Sequence, residues 1–355
     1  MKKTSRVNWY FLIIVLLLAI GPYGMRYIYR GLGITNPNLV MVISYFVLLV
    51  LPSIIYLAVT KSNVKEVLRL NVIPAKQFAY CFLIGILCIP LGNCLSAIGL
   101  YFFNNNAGDV ISALSQTTPL IIMLLVMSVM PAVVEEVNLR GIILNGYNNQ
   151  SILAAAIING LFFGIFHLDG HQFFYASVIG FVMAYVVRTT NSIYSSMLIH
   201  FTVNSFSVIV SHLLASSRIY EQAVAVAKTI DKTQLSLDSK ITGIVSYLTV
   251  AICIMGLIFQ VIKQIKKDQY LRSVNYQYMN MNYNMYQNNI NNPMNNGMNQ
   301  GYGNAQMNNG MNQGYCNWQM NNGGWHDNVD AMSEPLINVP FVLIIIIYLV
   351  IMILI

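Results

Sequence analysis

The chain has 355 residues, of which 56% are hydrophobic and only 9% charged, with a formal net charge of +7. That composition excludes an ordinary soluble globular domain. The positive excess would suit nucleic acid, but the distribution of the basic residues assigns them another role.

A bilayer core of about 30 Å is crossed by about 20 helical residues, and apolar runs near that length recur along the chain. They cover residues 9–25, 39–60, 78–103, 120–144, 151–167, 173–187, 192–213 and 241–262. Stretches such as "FLIIVLLLAI" are apolar on every side, whereas barrel strands would alternate, so the runs read as helices. The expected fold is an all-α polytopic membrane protein of about eight transmembrane helices. The first run follows "MKKTSRVN" and resembles a signal peptide, but it lacks a clear small-residue cleavage site and reads as a retained helix.

With the N-terminus inside, six of the 19 Lys and Arg residues (Arg26, Arg30, Arg218, Lys228, Lys232 and Lys240) fall outside. The remainder fall on the cytoplasmic side, as the positive-inside rule requires. The charge is therefore topology, the partner is the lipid bilayer, and no nucleic acid is expected. Multi-pass insertion in the plasma membrane of a prokaryote is the expected location. The segment "KSNVKEVLRL" is suited to lie along an anionic cytoplasmic surface. Cys81, Cys88, Cys94 and Cys253 fall inside spans and Cys316 in the tail; they read as packing residues, without a disulfide framework or a C-x-x-C site.

After Arg272 the composition turns to Asn, Gln, Met, Tyr and Gly, and "GMNQGYGNAQMNN" at Gly297 is echoed at Gly310 by "GMNQGYCNWQMNN". Such a tract has few aliphatic groups to offset its ordering entropy, so disorder and some self-association are expected. The chain divides into a membrane-embedded domain at 1–272 (motif core 120–207), a low-complexity tail at 273–335 and an apolar segment at 336–355. That last segment is a candidate ninth span; a tail anchor, a re-entrant hairpin and a packing segment are the alternatives, since Pro340 and β-branched crowding disfavour a regular helix.

The stretch "VMPAVVEEVNLRGIIL", residues 129–144, places Glu135, Glu136 and Arg140 inside a span. Each mid-membrane charge costs about 2.5–3.5 kcal/mol, so three unpaired would cost roughly 7–10 kcal/mol. Glu136 and Arg140 are four apart, acid first, on one helix face and in the favourable order for an ion pair. Glu135 points about 100° away and needs another partner. The bland account is that both acids brace neighbouring helices. Two later spans offer partners: Phe163 and His167 in "FGIFH", and His200 and Asn204 in "HFTVN". Each pair is four apart, so it faces one neighbour. A lone histidine in a span is often only packed and hydrogen-bonded. Together, though, these residues supply a water-activating base, its orienter and two donors for an oxyanion.

"EEVNLR", "FGIFH" and "HFTVN", on separate spans, resemble the E-E-x-x-x-R, F-x-x-x-H and H-x-x-x-N/D motifs of the CAAX protease and bacteriocin-processing (CPBP, or Abi) intramembrane proteases. The likeness covers about residues 120–207. It implies that Glu135, oriented by His167, activates water for attack on a peptide carbonyl. His200 and Asn204 would stabilise the oxyanion, while Glu136, Arg140 and Phe163 support the site. Within the same resemblance, His167, His200 and Glu135 are a candidate Zn²⁺ set; a metal-free site, with no cofactor, is the favoured reading. His171 and Asp169 read as a loop feature outside the motifs.

The implied function is hydrolysis of a membrane-associated protein or peptide substrate, of the CAAX-processing or self-immunity type. Two other classes stay open: a non-catalytic immunity or scaffold protein, and a transporter using the buried Glu/His cluster. H-E-x-x-H, G-x-S-G, G-x-G-D, P-loop and Rossmann patterns are absent. Oligomeric state is not legible. Straight helices rising about 1.5 Å per residue would place Glu135 and His200 about 12–15 Å from their cytoplasmic ends but His167 near 24 Å, so the motifs would miss one another without tilt or a later start to the fifth helix.

Overall fold

A computed structural model of the chain describes residues 2–215, 236–291 and 335–354, and every regular element among them is helical. In order these are α1 (Lys3–Gly31), α2 (Pro37–Tyr45), a π turn (Phe46–Val50), α3 (Leu51–Val59), α4 (Val64–Val67), α5 (Ala75–Gly99) and α6 (Asn106–Thr117). There follow α7 (Leu120–Leu124), a π turn (Leu125–Val129), α8 (Met130–Glu136), a π segment (Val137–Ile143), α9 (Ile152–Phe166), α10 (Gly170–Thr190), α11 (Ile193–Leu214), α12 (Leu237–Asn291) and α13 (Val339–Leu354).

Seven helices among the described residues are long and apolar enough to cross a membrane, two of them the composite runs Pro37–Val59 and Leu120–Ile143. The chain is thus a multi-pass integral membrane protein, with one fewer long span than the eight expected. The difference is α9: at 15 residues it extends only about 22 Å, less than the bilayer core. The first span is longer than its apolar run, because α1 carries polar turns at both ends.

The helices divide into two units, Met1–Ile265 with Asn328–Ile355, and Lys266–Asp327. In the second, the described residues continue α12 through Asn291, where Arg272 Nε donates to Asp268 Oδ2 at 2.8 Å. Helix therefore extends over 273–291. The rest of the low-complexity tail, 292–334, with its repeat, Cys316 and His326, lies outside the described residues, as do Arg218, Lys228 and Lys232.

Two prolines shape the first unit. Pro52 and Pro131 each follow a π turn by two residues. Proline offers no N–H to the carbonyl four residues back and crowds it, and the preceding turn widens to accommodate this. For Pro131 the carbonyl left without its α-helical donor is that of Met127. In the π segment, the Leu139 and Arg140 carbonyls accept from Asn159 Nδ2 at 2.8 Å and Arg69 Nη1 at 3.3 Å. With no water in the bilayer core, such side chains take over what the ladder leaves unpaired.

Helices α9 and α10 form a close antiparallel pair. A Cβ on Gly160 would lie 2.6 Å from the Ser177 carbonyl oxygen and 2.7 Å from the Phe181 nitrogen, so only glycine permits this approach. Asp169 caps α10 by accepting from the Gln172 N–H at 2.8 Å, and buried His171 reaches Ser96 Oγ at 3.0 Å. The pair expected as a loop feature is thus the N-cap and first turn of α10. The "KSNVKEVLRL" segment does not simply lie on a surface: Val67, Leu68 and Arg69 are buried. Arg69 Nη2 donates to Asn148, and burial, with Arg188 nearby, pulls its guanidinium down to about 9.

The terminal apolar run forms α13, which packs into the bundle. Phe341 meets Phe162 at 5.6 Å between ring centroids, Tyr348 stacks on Phe173 at 5.3 Å, and Asn8 Nδ2 donates to Asn338 Oδ1 at 3.0 Å. Ile344 is fully buried whereas Ile353 is 82% exposed. Ile344→Ala should therefore lower unfolding free energy in mixed micelles by about 2 kcal/mol, and Ile353→Ala should stay within about 0.5 kcal/mol of wild type. Equal effects would remove α13 from the core.

Candidate active site

The i,i+4 register expected for Glu136 and Arg140 is present, and both side chains are fully buried. Arg140 Nη1 donates to Glu136 Oε1 at 2.9 Å, and its Nη2 donates to the Gly180 carbonyl on α10 at 3.2 Å. The guanidinium also lies 4.3 Å from the Phe163 ring centroid, a cation–π contact with α9. Gly180 has to be glycine here: a Cβ would lie 2.8 Å from the Phe163 side chain and 3.2 Å from Arg140 Nη2.

The same Glu136 Oε1 accepts from His200 Nδ1 on α11 at 2.9 Å. A carboxylate oxygen only accepts, so His200 Nδ1 carries a proton and donates it. Its Nε2 faces Glu135 Oε2 at 3.9 Å. His167 is set likewise: its Nδ1 donates to the Phe163 carbonyl at 2.8 Å.

Glu135 is buried, 5% exposed, and makes two different contacts with its two oxygens. Oε1 accepts a hydrogen bond from the Tyr45 hydroxyl at 2.8 Å. Oε2 is buried without a hydrogen bond. The donor to Glu135 is therefore Tyr45 rather than His167, which the resemblance had made its orienter. His167 lies within electrostatic reach of Glu135 and His200. Sequence reasoning passed over Tyr45 because it sits in the apolar run "VMVISYFVLLV". The available signal was its hydroxyl, a polar group that needs a partner within lipid.

Phe163 links the two histidine motifs: its ring packs edge-on against His167 at 4.8 Å and His200 at 5.6 Å between centroids. Helix α9 starts at Ile152, so the motifs meet without a later start to the fifth helix. The structure thus gathers Glu135, Glu136, Arg140, Phe163, His167 and His200. Asn204 stands one turn further along α11, its Nδ2 donating to the Met127 carbonyl at 3.3 Å.

For Zn²⁺, among the described residues no group of three His, Cys, Asp or Glu side chains is placed to hold a metal ion, the set Glu135, His167 and His200 included.

These features define a polytopic helical membrane protein with a buried two-carboxylate, two-histidine site assembled from spans far apart in sequence. Residues 117–206 match the family model described as "Type II CAAX prenyl endopeptidase Rce1-like". That segment is similar to Rce1-like domains, which agrees with the CPBP resemblance and supports peptide hydrolysis at the level of the family. No match was found among curated proteins or solved structures.

Removing one partner of a buried pair leaves an uncompensated charge, at a cost of about 3–5 kcal/mol. Glu136→Gln and Arg140→Met should each reduce the yield of folded protein and lower its unfolding midpoint. The double variant should recover part of the loss, because its desolvation cost is gone. A double variant as damaged as the sum of the singles would rule out the pair as the organising contact.

Proposed function

We propose that the chain is an intramembrane endopeptidase in which Glu135 is the general base. The observation that carries this reading is Glu135 Oε2, buried without a hydrogen bond and 3.9 Å from His200 Nε2. With His200 neutral and protonated on Nδ1, a water between them would donate one hydrogen to each and turn its own lone pair toward a peptide carbonyl. On attack, the water's oxygen bonds the carbonyl carbon and its proton passes to Oε2. The second hydrogen stays on the new hydroxyl, bonded to Nε2. Asn204 Nδ2 keeps one hydrogen on the Met127 carbonyl and donates its second to the oxyanion. When the C–N bond breaks, Glu135 returns its proton to the leaving amine. His167 shapes the wall beside Glu135, and Glu136 and Arg140 hold His200 in its tautomer.

The substrate class follows from the family: a membrane-associated protein or peptide, with a prenylated CAAX C-terminus as the form the family's description names. It reaches the site from the cytoplasmic leaflet, the side where Arg69, Arg188 and the N-terminal lysines cluster. The reading is metal-free, and it is supported by the placement of Glu135, His167 and His200, which among the described residues are not grouped to hold a metal ion.

Glu135→Gln should insert normally and cleave a quenched farnesylated CAAX peptide at least about 1,000-fold more slowly than wild type. Uncleaved membrane proteins should accumulate in cells carrying it. Full activity of the variant would overturn Glu135 as the base, whereas a wild-type protein that cleaves nothing would leave the scaffold or transporter reading standing. Wild-type cleavage should also be indifferent to chelator; activity lost to chelation and restored by one Zn²⁺ per chain would overturn the metal-free mechanism.

A further inference from the structure

We propose that Tyr45 is a positioning residue for Glu135, so that the site is completed by a span outside the segment matching the family model. This rests on Glu135 being the base. The Tyr45 hydroxyl donates to Oε1 at 2.8 Å while Oε2 carries no hydrogen bond. Its donation ties one carboxylate oxygen down and points the other at His200 Nε2. A carboxylate on a flexible three-bond side chain otherwise rotates about its last torsion, which is broad and nearly two-fold.

The backbone of the second span is shaped to deliver this hydroxyl. Tyr45 is the last residue of α2, and the π turn Phe46–Val50 follows it directly. Two turns further on, Ser53 Oγ lies 2.8 Å from the Leu49 carbonyl and 3.0 Å from Asn138 Oδ1, two acceptors that share its single hydrogen. Span two is therefore bonded to span four at two places, one on Glu135 and one three residues later on Asn138. The lower contact fixes the register of the two helices, and the upper one reaches the reacting carboxylate. The donor has to be a phenol at this position: its O–H is carried on a rigid ring, loses little rotamer freedom and stays protonated across the working range.

The test compares Tyr45→Phe with wild type in the full chain. On the quenched farnesylated CAAX peptide, Tyr45→Phe should lower kcat about 10- to 100-fold, the loss of one charge-assisted hydrogen bond. KM should stay within about twofold, and the variant should remain folded at the assay temperature. Tyr29→Phe, which removes a hydroxyl that bonds Val40 and Ser44 at the start of the same span, should leave kcat as it was. In the Glu135→Gln background, Tyr45→Phe should have no further effect. A readout independent of substrate is infrared difference spectroscopy. The Glu135 carboxyl band, identified as the band lost in Glu135→Gln, should shift in Tyr45→Phe. A kcat within twofold of wild type, or an unmoved band, would overturn the role of Tyr45 even with Glu135→Gln inactive. An active Glu135→Gln would instead overturn the reading beneath it.

Discussion

The buried Arg140 guanidinium is the constraint on which the site depends. A cation in the bilayer interior has to be answered from every side, and here the answers come from four separate segments. Glu136 supplies the charge, Gly180 a carbonyl, Phe163 a ring face, and His200 completes the same carboxylate oxygen. In satisfying one arginine the chain fixes the distances among α8, α9, α10 and α11. The close α9–α10 approach at Gly160 and the small side at Gly180 are consequences, since a larger residue would push away a partner that Arg140 requires.

Backbone irregularity provides the second level of organisation. Three π-helical stretches lie in the two spans that carry Tyr45, Glu135, Glu136 and Arg140. Each releases or displaces backbone groups, and in lipid every one must be recovered. Asn159, Arg69 and Asn204 recover carbonyls at 139, 140 and 127. The prolines are therefore coupled to the site: Pro131 removes the N–H that would have paired with Met127, and Asn204 takes that place. A widened turn next to reactive groups is where such turns concentrate in proteins generally.

Much of the site was legible because charges are rare and expensive in an apolar span. Glu135, Glu136, Arg140, His167 and His200 announce themselves, and helical spacing alone assigned Arg140 to Glu136. Tyr45 was hidden for the opposite reason: a tyrosine scores as apolar, and its hydroxyl matters only once a partner is known. The apparent failure of His167 to reach the site came from treating the spans as straight rods; the Phe163 ring, one turn before it, meets both histidines. The fifth apolar run is α9 to within one residue at each end, and what it lacks is the length of a full span. Composition likewise could not separate an anchor from a packed helix at the C-terminus; Ile344 and the ring pairs of α13 decide it.

Two adjacent carboxylates with the same chemistry end in different roles because their partners differ. Glu136 gives one oxygen to both a guanidinium and an imidazole, so its charge is already compensated and its geometry fixed. Its other oxygen, Oε2, is buried without a hydrogen bond as well, but a proton there would remove the charge that both contacts depend on. Glu135 receives a single neutral donor, from Tyr45, and keeps one oxygen without a bond. That oxygen can take a proton without dismantling anything that holds the helices together. The division follows from the helix itself, since residues one apart point about 100° from each other. Whichever acid faces Arg140 becomes structural, and its neighbour is turned toward the gap between α2, α9 and α11. A glutamate pair in a membrane helix can therefore separate support from chemistry without any difference in residue type.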